Sequence, residues 1–455
     1  MKRMIAGLFV IFVLVSVLCT RVDAATSEQK EWTFMVFMNG DNTLDANTVK
    51  DMREMRNGGG SNDFMNLVVM VDRENKPAYT YFVTKEKNVE LAKHGEVDMG
   101  DYKVFVNFVK DTVKAYPAKH YCAIIWNHGT GWKAVRNKEK MIRGISYDDQ
   151  SGNNITTAQL GYAMADIKKA LGRRLDLLCF DACLMQMAEV IPSVREGADI
   201  MVGSEEIEPG DGFPYKDILK GLKSGMKADD VARLIVRCYA ASYDDGSAGY
   251  SSSTMSALYT NAYEGFKDCL NAYCKMVMAS DYSTQIDKIF DEIQKFQYDT
   301  NIDLYHFVSL SKSKIKNGGI KTTGDKLLAA IKRMVFTNAV SGYGTGNANG
   351  LAIYFPQLSH KFSTDYTHLP FAKNTMWMTM VRDYYKKSVI KPILEEVENG
   401  RTDKLKNYVA KACENNRGLT LELIAKLNYL CFTEGKCNEK TAKRVKALIS
   451  ELKNK

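Results

Sequence analysis

Cys183 and His128 are the two residues of this 455-residue chain whose types and settings most directly suggest chemistry. Trp126-Asn127-His128-Gly129 closes one short apolar run, Tyr121 to Trp126, and Asp181-Ala182-Cys183 closes another, Leu175 to Phe180. Runs of this length, rich in β-branched and aromatic side chains, read as buried parallel strands. Chemistry in open α/β sheets gathers at the carboxyl ends of strands, so both side chains are expected at one sheet edge. A thiol beside an imidazole there supplies a nucleophile and its acid/base partner. The sequence predicts a helix starting near Leu184 or Met185, whose positive end, with a nearby imidazolium, would lower the thiol pKa. His128 could protonate a leaving amine near neutral pH, and Gly129 beside it would let the backbone approach a substrate closely. No Asn or Asp can be assigned as a third catalytic partner.

Two carboxylates are candidates for recognition. Asp181 precedes Cys183 by two positions, so strand alternation puts both side chains on one face at the edge. Asp211 lies in the Gly-containing segment Pro209 to Tyr215. An acidic pocket would hold an Arg or Lys side chain through charge-assisted hydrogen bonds. The plainer readings are a helix N-cap for Asp181 and an ordinary turn aspartate for Asp211.

The elements that must position these residues alternate through the first 260 positions. Strands are expected at Thr33–Met38, Leu67–Asp72, Tyr79–Thr84, Tyr121–Trp126, Leu175–Phe180, Ile200–Ser204 and Ser253–Leu258. Helices are expected near Leu44–Arg56, Tyr102–Ala115, Thr157–Leu171, Met185–Arg195 and Ala228–Tyr243. That alternation implies an α/β fold with a mainly parallel sheet covered by helices on both faces. Residues 262–340 read as mostly helical, Gly350–Phe355 as a strand returning to the sheet, and 385–455 as a helical C-terminal appendage. The predicted division is a signal peptide at 1–24, a catalytic domain at 25–384 and that appendage.

These motifs resemble the clostripain-like cysteine peptidases, relatives of the caspases, gingipains and legumains. The resemblance is carried by His128-Gly129-Thr130-Gly131-Trp132, Gly144-Ile145-Ser146-Tyr147-Asp148-Asp149, Asp181-Ala182-Cys183-Leu184-Met185, Gly203-Ser204-Glu205-Glu206 and Pro209-Gly210-Asp211-Gly212-Phe213-Pro214-Tyr215. It runs from about Trp32 to the segment Asn349 to Pro356, and no motif carries it beyond roughly residue 385. An Ala-Cys nucleophile with its His about 50 residues upstream is the caspase pattern. The resemblance implies a caspase-like fold, a Cys183–His128 dyad, an oxyanion hole from the backbone N–H groups of Gly129 and Cys183, and cleavage after Arg or Lys in a pocket lined by Asp181 and Asp211. It also implies synthesis as a zymogen. The stretch between Trp132 and Ser151 carries Lys133, Arg136, Lys138, Lys140 and Arg143, and reads as a solvated loop. Self-cleavage within 133–150 is expected at Lys140 or Arg143, with Arg136 behind them.

Composition sets the compartment and partners. Lys2 and Arg3, the apolar stretch Ala6 to Leu18 and the small-x-small site Val22-Asp23-Ala24 form an export signal, too short to span a bilayer. A lipoprotein through Cys19 is disfavoured because Leu18 is bulky. The product is expected in the periplasm, outside the cell or at its surface, with no membrane span. The formal charge is +8. Losing residues 1–24 removes three basic residues and one acidic residue, leaving +6. Basic residues are interspersed with acids, so no nucleic-acid partner is expected. Protein or peptide substrates with basic residues are, for a monomer that becomes two chains after self-cleavage. Nine cysteines remain in the mature chain: Cys122 and Cys179 read as buried small hydrophobes, while Cys269/Cys274 and Cys431/Cys437 are pairs that could bridge. No cofactor is needed for thiol chemistry. Asp41, Asp45 and Asp148-Asp149 could offer oxygens to calcium, but no calcium-loop pattern is present and surface carboxylates are the expected reading; no metal site is assigned. The rival functions are a catalytically silent binding module of the same fold, a different thiol acyl-transfer enzyme, and a lectin or adhesion domain, which the alternating elements disfavour.

Overall fold

The computed structural model describes residues 29–137, 140–402 and 417–453, together with Leu405 and Val409. The export signal, Cys19, Lys138 and Glu139 lie outside the described residues.

The sheet that carries the site is built from strands apolar on both sides. The first, β1 (Lys30–Gly40), is buried from Thr33 through Gly40 and pairs in parallel with β2 (Met65–Arg73) on one side and β5 (Ala118–Trp126) on the other. Beyond β5 lie β9 (Leu175–Asp181) and β10 (Ala198–Gly203), also parallel. These five strands form the centre. One flank is the antiparallel pair β3 (Lys76–Val83) and β4 (Asn88–Gly95); the other is formed by Ser253–Tyr259 and Val335–Ser341. Alternation along β1 sends Met35 and Phe37 into one apolar layer and Phe34, Val36 and Met38 into the opposite one.

Helices cover both layers. Over one face lie α2 (Tyr102–Ala115), started by the Asp101 carboxylate on the Lys103 N–H, and α3 (Thr157–Leu171). The latter opens on a reciprocal Thr156/Gln159 capping box and ends at Gly172, whose φ of 68° is the left-handed conformation glycine accepts without penalty. The opposite face is covered by α1 (Asp45–Asn57), α5 (Tyr215–Gly221) and α6 (Ala228–Tyr243). All seven expected strands are present, and four of the five expected helices.

Four expectations change. The strand near Gly350 does not rejoin the main sheet: Ala352–Tyr354 pairs with Asn301–Asp303 in a separate two-stranded ladder. The helix expected over Met185–Arg195 shrinks to one turn, Ile191–Val194. The stretch read as a solvated loop is instead a hairpin of β6 (Gly129–Asn137) and β7 (Lys140–Asp148), joined by the short β8 (Asn153–Ile155). Of the two cysteine pairs considered, Cys431 and Cys437 are bridged, whereas Cys269 and Cys274 are free thiols. The helices Arg417–Asn428 and Glu439–Lys453 pack into the same apolar cluster as the sheet through Leu423, Leu427 and Val445, so the C-terminal region is not a detached unit.

Candidate active site

The ends of β5 and β9 lie side by side, with Trp126 in register with Asp181. Beyond the ladder, the Asn127 N–H donates to the Asp181 carbonyl (3.1 Å). This brings His128 and Cys183 into the walls of one cavity of about 110 Å³, together with Asp51, Asp181, Glu208 and Gly210 among others.

Asn127 holds the arrangement together. Its buried amide donates to the carbonyls of Asn39 and Tyr147 and accepts the Tyr147 N–H (2.7 Å), tying β5 to β1 and β7. Asn42 donates to the same Tyr147 carbonyl. The sequence reading missed these amides; the polar Asn between an apolar strand and its His was the available signal. Replacing Asn127 with Ala leaves the buried Tyr147 N–H without its acceptor and the Asn39 and Tyr147 carbonyls with one donor fewer, and a loss of about 1–3 kcal/mol in denaturant unfolding is expected.

Gly129 has a reason different from the expected one. A Cβ there would sit 2.4 Å from the Cys183 carbonyl oxygen, so its missing side chain is what lets the His128 turn and the Cys183 turn touch. The chain bends sharply after the thiol, since Leu184 has φ 63°, a left-handed conformation held by its N–H on the Glu206 carbonyl and by burial of its side chain. No helix begins here, so the expected dipole is absent. The reason is that Gln186 and Ala188 donate to the carbonyls of Ser204 and Ala352 instead of winding into a helical ladder.

The hydrogen bonds of the two reactive groups run elsewhere. His128 Nε2 meets Thr43 Oγ1 at 2.9 Å, and Cys183 Sγ accepts the Glu208 N–H at 3.2 Å. Burial pushes the Cys183 thiol up to about 12, and the Glu208 charge adds to it. Burial lowers the His128 pKa, against a smaller opposing effect of Asp149. Both groups are therefore neutral at pH 7, and the lowered thiol pKa expected from the sequence is not found in this state.

Asp181 stands where alternation put it. Its Oδ1 accepts the Phe213 N–H (3.0 Å) and its Oδ2 the Tyr215 hydroxyl (2.8 Å), while Gly212, at φ 57°, wraps so closely that a Cβ would lie 2.7 Å from Oδ1. It does not cap a helix. Asp211, by contrast, is half-buried, paired with Lys50 at 2.5 Å, and not among the residues lining the cavity. The backbone of Arg136 pairs with Met141, that of Lys140 with Asn137 and that of Arg143 with Ala134, so all three basic candidates sit on the two arms of one hairpin.

The carboxylates weighed for calcium are not all on the surface. Asp45 is engaged by Arg73 in a two-pronged pair. Asp41 and Asp148 are buried, and with Glu96 they bring one oxygen each to within 4.8 Å of one another. Asp72 lies beside them, with its Oδ2 unpartnered. Burial first and mutual repulsion second raise Asp41 to about 6 and Asp72 to about 8. The donor set, all carboxylate oxygen, suits a hard cation. Because these folded-state values lie above the unfolded carboxylate value near 4, the associated stability is fully present below about pH 4 and lost progressively as pH rises to about 6 for Asp41 and about 8 for Asp72. Melting temperature should fall over that window, less so in Glu96→Gln, and millimolar calcium should offset the fall in the wild type.

Comparison with known proteins decides the affiliation. The family model described as the clostripain family matches residues 36–415. The chain belongs to the clostripain family. The match extends some 30 residues past Tyr385, into the helical region where no motif was visible in the sequence. Clostripain of Hathewaya histolytica is 24% identical over 415 residues, covering 75% of this chain and 77% of its own. Among solved structures, a secreted C11 cysteine protease from Bacteroides thetaiotaomicron, in complex with an irreversible peptide inhibitor, superposes with a TM-score of 0.62 at 20% identity, covering 77% of this chain and 99% of that one. An inactive zymogen C11 protease from Parabacteroides distasonis gives a TM-score of 0.58 at 20% identity, covering 76% and 98%. At such identities the solved structures establish the fold, and the family establishes a cysteine endopeptidase that needs no cofactor for its chemistry. No helix among the described residues is long and apolar enough to cross a membrane.

Proposed function

We propose that this clostripain-family enzyme is exported and cleaves proteins or peptides after Arg or Lys through a Cys183–His128 dyad. The observation that carries the reading is that Cys183, at a strand end, and His128 line a single cavity together with the carboxylates Asp51, Asp181 and Glu208. In this mechanism Cys183 Sγ attacks the carbonyl carbon and its proton passes to His128. His128 then protonates the leaving amine, leaving an acyl-enzyme, and water attacks with His128 as base. Developing negative charge on the carbonyl oxygen would be met by the N–H groups of Gly129 and Cys183, whose backbones are in contact. Asp181 forms the wall of the basic pocket and Asp211 its rim, where Lys50 must yield for a substrate cation to engage the rim carboxylate. Residues 25–384 form the peptidase unit, with 385–455 packed on it.

The enzyme is made latent and activates itself by cutting in the 133–150 hairpin, at Lys140, Arg143 or Arg136. Two features support latency. The thiol is held protonated, and a cavity of 110 Å³ falls short of the several hundred Å³ of an open ligand site. Intact mass and N-terminal sequencing of purified wild type and Cys183→Ala test the proposal together with peptides ending in Arg, Lys, Asp or Leu. Cleavage within the hairpin only in the wild type, and turnover only of basic peptides, is expected. Turnover without a cut would remove self-activation. An intact wild type that stays inactive even after an added trypsin-like peptidase nicks the hairpin would favour a silent binding module.

A further inference from the structure

The pocket holds more acid than the two aspartates discussed so far, and the unassigned acids are the unsatisfied ones. Asp181 already has both oxygens engaged by Phe213 and Tyr215. Glu208 lines the same cavity with both carboxylate oxygens fully buried and neither in a well-formed hydrogen bond; the Ala182 N–H and the Asp181 carboxyl are its polar neighbours. Its own N–H rests on Cys183 Sγ, so its side chain stands one residue away from the reacting sulfur. Asp51 reaches the cavity from α1, is 2% exposed, and accepts from Trp126 Nε1 through Oδ2 (2.8 Å) while Oδ1 has no partner. Three buried acceptor oxygens on two side chains that line one small cavity, none of them in a well-formed hydrogen bond, are costly unless a guest supplies donors. A guanidinium, with five N–H groups in a fixed fork, or an ammonium, with three, is the complement.

We propose that Glu208 and Asp51 form the floor of the substrate pocket and are the groups that neutralise the basic side chain of the residue before the scissile bond. This rests on the peptidase reading above. Electrostatics agree with it: burial, and then repulsion from Asp181 and its neighbours, pushes Glu208 well up, Asp51 to about 8 and Asp181 to about 7, so the empty floor holds protons where a cation belongs. Arrival of that cation displaces those protons, so filling of the pocket is coupled to proton release.

The test uses hairpin-cleaved enzyme and two peptides identical except for Arg or citrulline before the scissile bond. Citrulline keeps the shape of arginine and lacks its charge. The wild type should prefer Arg by about 100-fold or more in kcat/KM, and Glu208→Gln and Asp51→Asn should each bring the Arg-to-citrulline ratio down toward one. Alkylation of Cys183 by iodoacetamide reports site integrity independently of peptide cleavage. It should still proceed in Glu208→Gln and Asp51→Asn. A wild type that does not distinguish Arg from citrulline sinks the basic-pocket reading itself. A wild type that does distinguish them, with variants that keep the preference or lose both peptides equally, overturns the assignment of Glu208 and Asp51 alone.

Discussion

Cys183→Ala is expected to abolish peptide hydrolysis, by about 10⁴-fold or more, while leaving the fold and the melting temperature nearly unchanged. The size follows from the chemistry: removing the atom that forms the acyl-enzyme leaves only binding and whatever oxyanion stabilisation survives. The small structural cost follows from the surroundings. Cys183 is half-buried, and its sulfur accepts a single N–H, that of Glu208. His128→Ala should produce a comparable loss of turnover but a different signature. Because His128 neither packs in the core nor holds the Asn127 network, that variant should still be alkylated at Cys183, only more slowly. The paired measurement is kcat/KM with the best basic peptide and the rate of thiol labelling for each variant. Substantial turnover by Cys183→Ala would reject the nucleophile.

Gly129→Ala should also damage activity, although the added methyl touches no reacting atom. The new methyl would lie 2.4 Å from a backbone carbonyl oxygen, that of Cys183 itself, and within 3.2 Å of Ala182 Cβ and Met185 Cγ. Backbone cannot swing aside as a side chain tip can, so the turns bearing the dyad must separate. A displacement approaching 1 Å at a reacting group is worth about 100-fold in rate, and forced overpacking costs about 1–3 kcal/mol. The expected result is kcat/KM down by about 100-fold with a modest fall in stability. A near-normal enzyme would mean that the two turns are looser than this packing implies. The variant also separates the two explanations of the glycine. Were its role only to admit a substrate, the loss would appear in KM and the folded protein would be as stable as the wild type.

The parts of this protein that sequence determined are those where the signal is local. β1, β5 and β9 are apolar on both faces, and such runs can only be central strands, so the positions of His128 and Cys183 at a shared edge followed from their places at the ends of two of them. The capped helices α2 and α3 were equally legible, because Asp101, Thr156 and Gly172 mark their ends through bonds within a few residues. Asp181 fell on the Cys183 side of its strand by alternation alone.

Tertiary structure decided what depends on partners far along the chain. The apolar pattern after Cys183 permits a helix. The segment stays irregular because its N–H groups find Ser204 and Ala352, and its positive-φ Leu184 is held by its N–H on the Glu206 carbonyl and by burial of its side chain. Asp51 sits on the buried side of α1 among Thr48, Met52 and Met55, where a carboxylate is costly and in sequence resembles any helix aspartate. Only the approach of α1 to Trp126 reveals that it reaches the cavity. Glu208, three residues before Asp211, gave no sign of being the buried member of the loop. Asp211 stands in the more recognisable motif, yet its side chain ends in solvent on Lys50. Period and propensity are read from neighbours in sequence. Charge neutralisation, left-handed strain and close backbone approach are settled by neighbours in space, and at this site those three decide how the thiol is held and what cation the pocket takes.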